Sequence, residues 1–458
     1  MVKSTYYFIG INGIGMSGLA EMLSIKGHDV KGSDISDAIN LDHFKSLGIP
    51  VNTKQKKDNI CSSDWIVVAS SAIQADNEEL MAAKSMGCTI IKRGKLLSDI
   101  GHSFKSRMAV VGTHGKTTTT SLAVRLFSSN QATPSYFIGG QISERSHVGL
   151  ASNDQFITEL DESDGSFLDM KPTSAIITNI EHDHVDFYKT KKDVYDAFLL
   201  FVTQIIDSGG QCIINLDDPL SEKIIKTQSD RQPFITYGIE NQLAMVRAEN
   251  IDYFWQGSRF TLVINQHPVE EVTLPLYGRH NIYNALGAIG LAISKGILLK
   301  DILNGLKSFT GVKRRLELKY KGNQIMLFDD YAHHPTEIIT TLEGLYKSFP
   351  QNRIITIFQP HRYSRLTNLF DEFSVSFSRS KHVLVLDVYG AGETPDGFKT
   401  SEALVTAINQ KNGNALYCPS DIDGILGGIL APNDIVVLMG AGNVTQMASE
   451  VIRLIKSR

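Results

Sequence analysis

Residues 109–120 read AVVGTHGKTTTT. Three apolar residues run into Gly112, and Gly115, Lys116 and Thr117 follow after a two-residue gap. This is the pattern of a buried strand that turns into a helix through a phosphate-gripping loop. Backbone N–H groups of such a loop cradle phosphates, a lysine at position 116 reaches the β- and γ-phosphates, and the Thr117 hydroxyl can hold Mg²⁺. The threonines after Lys116 are β-branched and poor helix formers, so propensity did not select them. The usual G-x-x-x-x-G-K-[ST] pattern wants a glycine five positions before Gly115, where this chain has Val110. The spacing leaves two readings, a shortened phosphate loop with Gly112 and Gly115 making the turn, or a chance G-K-T at a helix start.

The same strand-then-helix pattern recurs outward in both directions. Short apolar runs stand at TYYFIG (5–10), DWIVVAS (64–70), SAIITNI (174–180), QCIINL (211–216), RIITIFQP (353–360), HVLVLDVY (382–389) and DIVVLMGAG (434–442). Such runs suit strands covered by helices on both faces. Their alternation with helical patterns predicts an α/β class with mostly parallel sheets. At roughly 100–200 residues per domain, 458 residues imply two to four domains. Two junctions divide the chain: the polar SDIGHSFKSR (98–107), and SFTGVKRR (308–315) after a helical pattern over 284–307. The expected domains are 1–105 (Rossmann-like), 106–312 (P-loop ATPase-like) and 313–458 (Rossmann-like). Period-two alternation over 240–277 predicts antiparallel strands within the middle domain, and a new strand is expected at 324–329.

Composition narrows the function classes. A formal net charge of -4 offers no basic field for nucleic acid. Cys61, Cys88, Cys212 and Cys418 form no C-x-x-C pair, which argues against a zinc site or a disulfide framework. No stretch approaches the ~18 apolar residues of a membrane span, and MVKSTYYFIGINGIG is too short and glycine-broken for a signal peptide. A soluble cytoplasmic protein is expected.

A second glycine loop lies near the start. Gly13-x-Gly15-x-x-Gly18 follows the run 5–9 and opens a helix, so Gly13, Ile14, Gly15, Met16, Ser17 and Gly18 present a helix N-terminus to an anion. Asp34 ends the next strand, where an acid can bind a ribose hydroxyl. Taken alone this stretch predicts NAD and a dehydrogenase. Downstream of the first loop, FITELDESDGSF (156–167) gathers Glu159, Asp161, Glu162 and Asp164 past another apolar run, and TNIEHDHVDFY (178–188) adds His182, Asp183, His184 and Asp186. Acids and histidine at strand ends beside a phosphate loop point to metal binding. The dehydrogenase reading leaves Lys116, Glu159 and His184 without work.

These blocks, with N-x-D-D-P (215–219), G-R-H-N-x-x-N-A (278–285), G-V-K-R-R (311–315), D-D-Y-A-H-H-P-T-E (329–337) and Q-P-H-R-Y-S-R (359–365), stand in the order of a known family. The chain resembles the Mur ligases, ATP-dependent amide-forming enzymes of bacterial cell-wall precursor synthesis, over essentially its whole length. The resemblance implies an ATP site at Gly112, Thr113, His114, Gly115, Lys116, Thr117 and Thr118, with His280, Asn281 and Asn284 at the adenine pocket, Arg315 on the γ-phosphate and Asp330 on the ribose. It implies two Mg²⁺ ions, held by Thr117, Glu159 and His184. The N-terminal glycine loop and Asp34 would hold the UDP end of a sugar nucleotide. Tyr331, His333, His361, Arg362 and Arg365 would face the reacting carboxylate and the incoming amino acid. Arg362 and Arg365, three apart, are expected to share one face of a short helix. With Lys116, His184 and Arg315, the residues His333, His361, Arg362 and Arg365 form the implied catalytic set.

Sister ligases that add later peptide residues resemble one another in carrying a lysine about fifteen residues after the metal-binding histidine, modified there to a carbamate. DVYDAFLLF (193–201) has none. That departure fits the alanine-adding branch, which joins L-alanine to UDP-N-acetylmuramate, and the related muropeptide-recycling ligase. Q-P-H-R-Y-S-R and DVYGAGETP (387–395) resemble the alanine-adding branch more closely. No expected catalytic position is missing, which weighs against a catalytically dead relative.

Overall fold

Buried β-branched runs alternate with helices along the chain and assemble into three sheets, the α/β architecture expected. The computed structural model describes residues 3–35, 41–70, 73–128, 133–140, 146–151, 154–183, 187–228, 230–231, 234–411, 413–419 and 422–457. The chain divides into two compact units. Met1–Arg247, Val263–His267 and Tyr283–Ser308 form the first, and Ala248–Leu262, Pro268–Ile282 and Phe309–Arg458 form the second.

The first unit holds two sheets. One consists of β1 (Thr5–Ile9), β2 (Asp29–Ser33), β3 (Val51–Asn52), β4 (Ile66–Ala69) and β5 (Thr89–Lys92), all parallel in the order β3-β2-β1-β4-β5. The order reverses at β1, so the glycine loop leaving β1 opens at the switch point where open α/β sheets bind ligands. The other is built on β6 (Ser106–Val111), β7 (Ser135–Phe137), β8 (Val148–Gly149), β9 (Gln155–Glu159), β10 (Ser174–Ile177), β11 (Gln211–Asn215) and β12 (Phe234–Gly238). Their order is β12-β11-β10-β6-β9-β7-β8, parallel except where short β8 runs against β7. Ala109, Val110 and Val111 are fully buried. Both faces of β6 are covered, which is why AVV shows no alternation.

The polar look of 98–107 conceals a helix, Arg93–His102, whose Leu97 and Ile100 face inward. Phe104 beyond it stacks on Phe156 of β9, ring centroids 5.0 Å apart. One apolar core runs from Phe8 and Leu19 beside the first sheet to Val111, Ile177 and Phe198 beside the second. The segment is therefore a packed joint in this unit. The helical pattern over 284–307 is two helices, Arg279–Ser294 and Leu299–Lys307, parted at Gly296, whose φ of +73° ends the first.

The stretch 240–277 supplies β13 (Val246–Phe254), β14 (Gly257–Ile264) and β15 (His267–Leu274). The second unit carries the third sheet: β16 (Glu317–Gly322), β17 (Ile325–Asp330), β18 (Arg353–Phe358), β19 (His382–Val385), β20 (Ala415–Tyr417) and β21 (Asp434–Met439). The order is β16-β17-β21-β18-β19-β20, parallel apart from β16. The motifs D-D-Y-A-H-H-P-T-E, Q-P-H-R-Y-S-R and DVYGAGETP stand at the carboxyl ends of β17, β18 and β19. Among the described residues no helix is long and apolar enough to cross a membrane.

Candidate active site

The loop after β1 is shaped by its hydrogen bonds. Gly10 takes φ +82°, and the Asn12 N–H donates to Asp34 Oδ2 at 2.8 Å. Asp34 thus braces the turn from the end of β2. The helix Ile14–Ile25 starts at Gly13 with no side-chain cap. A Cβ on Gly18 would lie 2.8 Å from His147 Nε2, so this glycine serves a close approach between helix and the second sheet's edge. A Cβ on Gly15 would lie 2.7 Å from Arg93 Nη1. That space is filled by an arginine from 78 residues downstream in sequence, at the start of the helix Arg93–His102.

In the loop after β6, Gly112 and Gly115 have φ of +135° and +82°. A Cβ on Gly112 would collide with the Thr178 hydroxyl, and one on Gly115 with the Asn284 amide oxygen. Both positions are therefore glycine for conformation and for space. Asn179 clamps the loop reciprocally: its Oδ1 accepts the His114 N–H at 2.9 Å and its Nδ2 donates to the His114 carbonyl at 3.0 Å. Thr113 and Glu181 add a further bond, the Glu181 N–H donating to Thr113 Oγ1 at 2.8 Å. Thr119 Oγ1 donates to Asn284 Oδ1 at 3.1 Å, which ties the helix Lys116–Ser128 to the expected adenine-side asparagine. Thr117 and Thr118 are buried in that helix's first turn.

Lys116 Nζ donates to the Gly112 and Thr113 carbonyls at 2.6 and 3.2 Å and to both Glu162 oxygens at 3.0 and 2.7 Å. Burial opposes its charge, but Glu162, Asp161 and Glu159 outweigh that and hold its pKa above the usual lysine range. Asp161 is desolvated as well, yet Lys116 and Arg93 bring its pKa down to about 2. Arg93 Nη2 donates to Asp161 Oδ2 at 2.9 Å. Glu159 ends β9, with its carboxylate against Gly139. Of the histidine block, His182 Nε2 lies 3.1 Å from the Tyr188 carbonyl. His184 and Asp186 lie outside the described residues. The N-x-D-D-P motif is mainly architectural. Asp217 accepts three backbone N–H groups, from Ile239, Glu240 and Asn241, and the Tyr283 hydroxyl at 2.8 Å. Asp218 caps the helix Pro219–Thr227, with proline at its first position.

The second unit gathers a different cluster at the carboxyl ends of its strands. Arg314 and Arg315 flank the Tyr331 ring, their guanidinium carbons 4.9 and 5.0 Å from its centroid. Asp330 is buried and accepts the Leu316 N–H at 2.6 Å and the Ala332 N–H at 2.8 Å. Both its oxygens hold the arginine loop and the Tyr331 turn. Desolvation pushes its pKa up to about 6. His333 Nδ1 faces the Tyr331 carbonyl at 3.0 Å and Glu337 at 3.4 Å. Burial lowers its pKa to about 4, and burial with His333, Arg365 and Arg362 lowers that of His361 to about 3. Both rings are neutral near pH 7. The His333 and His361 centroids are 5.8 Å apart, and His361 stacks on Tyr389. Arg365 Nη1 lies 3.3 Å from His361 Nδ1.

Arg362 departs from the expected helix face. It precedes the helix Tyr363–Asn368 and sits at φ +67°, its N–H donating to the Tyr389 carbonyl at 2.8 Å. A bridge between His361 and Tyr389 holds the chain in that conformation, so Arg362 and Arg365 share no helical face. His280 is buried, its pKa brought down to about 4 by desolvation, and its Nδ1 has no hydrogen-bond partner among the described residues. Asn281 Nδ2 donates to the Tyr277 carbonyl at 2.9 Å. His280 and Asn281 belong to the second unit and Asn284 to the first.

Sequence reasoning placed Glu162 only within an acidic cluster read as metal-binding, and gave Arg93 and Glu393 no role. Glu162 meets Lys116 across 46 residues and Arg93 meets Asp161 across 68. Glu393 accepts from the Ser364 N–H at 2.9 Å and its hydroxyl at 2.6 Å. No local spacing signals such pairs. Among the described residues no group of three or more His, Cys, Asp or Glu is arranged to hold a metal. The Glu159 carboxylate and the Thr117 hydroxyl are hard oxygen donors. They fit a magnesium ion that arrives with a nucleotide and keeps phosphate and water ligands.

Comparison with known proteins agrees with this fold. Residues 5–105 match the profile described as Mur ligase family, catalytic domain, residues 110–292 the Mur ligase middle domain, and residues 314–442 the Mur ligase, glutamate ligase domain. A UDP-N-acetylmuramate–L-alanine ligase of Agrobacterium fabrum is 39% identical over 461 residues, covering 98% of this chain and 97% of the relative. The crystal structure of a UDP-N-acetylmuramate-alanine ligase from Thermotoga maritima superposes with a TM-score of 0.84 at 26% identity, over 99% of this chain and 100% of that one. A murein peptide ligase from Psychrobacter arcticus shares the fold at a TM-score of 0.72 and 24% identity, over 99% of both chains. The chain belongs to the Mur ligase family.

Proposed function

We infer that this chain is an ATP-dependent ligase that joins L-alanine to the lactyl carboxylate of UDP-N-acetylmuramate. The observation that carries the reading is the pair of glycine loops in one unit, GINGIGMSG and GTHGKT, the second with a buried lysine among carboxylates. Two phosphate loops call for two nucleotides, which a dehydrogenase does not need. The names of the relatives compared with this chain point to the same substrates.

In the first step a carboxylate oxygen attacks the γ-phosphorus of ATP, the bond to the β-phosphate oxygen breaks, and ADP leaves an acyl phosphate. Two anions must meet there. Lys116 and Arg315 offset the repulsion and stabilise charge on the transferring group. Two Mg²⁺ ions, held by Thr117, Glu159 and His184, would supply further charge neutralisation when bound. In the second step the alanine nitrogen attacks the acyl carbon, the carbon–oxygen bond to phosphate breaks, and inorganic phosphate departs. Arg362 and Arg365 suit a carboxylate because a planar fork holds it bidentately. Neutral His333 and His361 add no charge of their own beside the amine. Residues 1–105 would bind the UDP-sugar, 106–312 ATP, and 313–458 the amino acid.

Phosphate release with ATP and UDP-N-acetylmuramate, compared between L-alanine and an L-Ala-D-Glu-containing tripeptide, tests the reading. Stimulation by alanine is expected. Stimulation by the peptide alone would assign the chain to muropeptide recycling instead.

A further inference from the structure

Arg93 stands where a second glycine of a diphosphate loop normally leaves room for the ligand. Its Nη1 lies 2.7 Å, and its Cζ 3.6 Å, from the position a Gly15 Cβ would take. Glycine at 15 therefore seats this guanidinium against the first turn of the helix Ile14–Ile25. Its Nη2 is tied to Asp161 at 2.9 Å. Asp161 is fixed in turn, its other oxygen accepting the Ser163 N–H at 3.1 Å. The backbone beside Arg93 packs closely on the same acidic loop, because a Cβ on Gly94 would lie 2.5 Å from Ser166 Cβ. No hydrogen bond to Nη1 or Nε is present among the described residues, and 30% of the side chain is exposed. One edge of a rigid, permanently charged fork thus remains available beside the N–H groups of Ile14 and Gly15. None of the described residues accepts from those two groups.

We propose that Arg93 is a ligand of the UDP-sugar diphosphate, with Asp161 as the positioning residue that aims it. The inference rests on the reading of GINGIGMSG as the sugar-nucleotide loop. A planar fork can hold a carboxylate on one edge and a phosphate on the other. The arrangement supplies the positive side chain that the loop itself lacks, since residues 10–18 contain no lysine or arginine. It also gives one acid of the block beside Lys116 a second task, at the sugar-nucleotide loop.

The test is calorimetric binding of uridine, UDP and UDP-N-acetylmuramate to the full chain, for the wild type, Arg93→Met and Asp161→Asn. Methionine keeps much of the stem's volume. Arg93→Met is expected to weaken UDP and UDP-sugar binding roughly 10- to 100-fold, the size of a lost charge-assisted hydrogen bond, while uridine binds as in the wild type. Its UDP affinity should also fall less steeply with added salt. Asp161→Asn should show a smaller loss in the same direction, because the fork remains but is no longer aimed. Unchanged UDP affinity in Arg93→Met overturns the assignment, and so does an equal loss of uridine and UDP, which marks a packing role. A wild type that binds neither UDP nor the sugar nucleotide overturns instead the reading of the loop.

Discussion

Lys116 and Glu162 form a buried ion pair at the phosphate loop, and its energetics can be isolated. Glu162 is 2% exposed and the Lys116 side chain 19%. Removing one partner of such a pair strands a charge in the interior and costs about 3–5 kcal/mol. Lys116→Met should fall in that range, because it takes away the ammonium held by both Glu162 oxygens. Glu162→Gln should cost less, about 2 kcal/mol, since Lys116 keeps the Gly112 and Thr113 carbonyls and the nearby Asp161 and Glu159. The double variant strands neither charge and should cost about 2 kcal/mol in total, giving a coupling of about 3–5 kcal/mol. The assay is calorimetric melting, read on the transition of the first unit because a two-unit chain is not a single two-state system. Lys116→Met should lower that transition by roughly 10 °C, at ~2–4 °C per kcal/mol. A double variant whose loss equals the sum of the two single losses refutes the reasoning. Lys116→Met should also abolish ADP release while UDP-sugar binding persists, and surviving turnover would remove the lysine from the nucleotide site.

Three other outcomes are expected. Asp34→Ala should weaken UDP-sugar binding about 10- to 100-fold, partly by releasing the Asn12 N–H, with ATP affinity nearly unchanged; equal loss of both nucleotides would end the division of labour between the loops. Arg362→Gly relieves a left-handed backbone strain of roughly 1–2 kcal/mol, so its melting temperature should hold or rise while alanine-dependent product formation collapses; full retention of activity would show that the guanidinium has no part in turnover. Asp330 has a folded pKa near 6, above the carboxylate's ordinary 3.8, so its stabilising share is complete below about pH 3.8 and is lost as pH rises through 6. Compared with Asp330→Asn, the wild type should therefore gain up to about 3 kcal/mol between pH 7 and pH 4. His333 and His361 titrate with the opposite sign over part of that window, and the comparison cancels them. A pH-independent difference would mean that Asp330 is not the desolvated acid described.

The sequence by itself determined the strand runs, the two glycine loops and the α/β class. These are local consequences of burial on both faces and of backbone that only glycine accepts. AVV at 109–111 reads as a two-face-buried strand without knowing its neighbours, and Gly112 and Gly115 announce a turn before Thr178 or Asn284 is seen to crowd them. The motif order supplied the family. Tertiary structure alone decided who meets whom. Glu162 takes Lys116 because the neighbouring parallel strands β6 and β9 bring their loops to one sheet edge, and Arg93, beside Gly15 at the first sheet, reaches Asp161 of the second; nothing in spacing encodes either meeting. The helix expected to align Arg362 with Arg365 begins one residue too late, since the bridge between His361 and Tyr389 turns Arg362 into left-handed backbone. Asp330, legible as an acid at a strand end, proves to be committed to the backbone of the arginine loop. Long-range hydrogen bonds and desolvation set the charge, aim and strain of these side chains, and those forces exist only once the chain has folded.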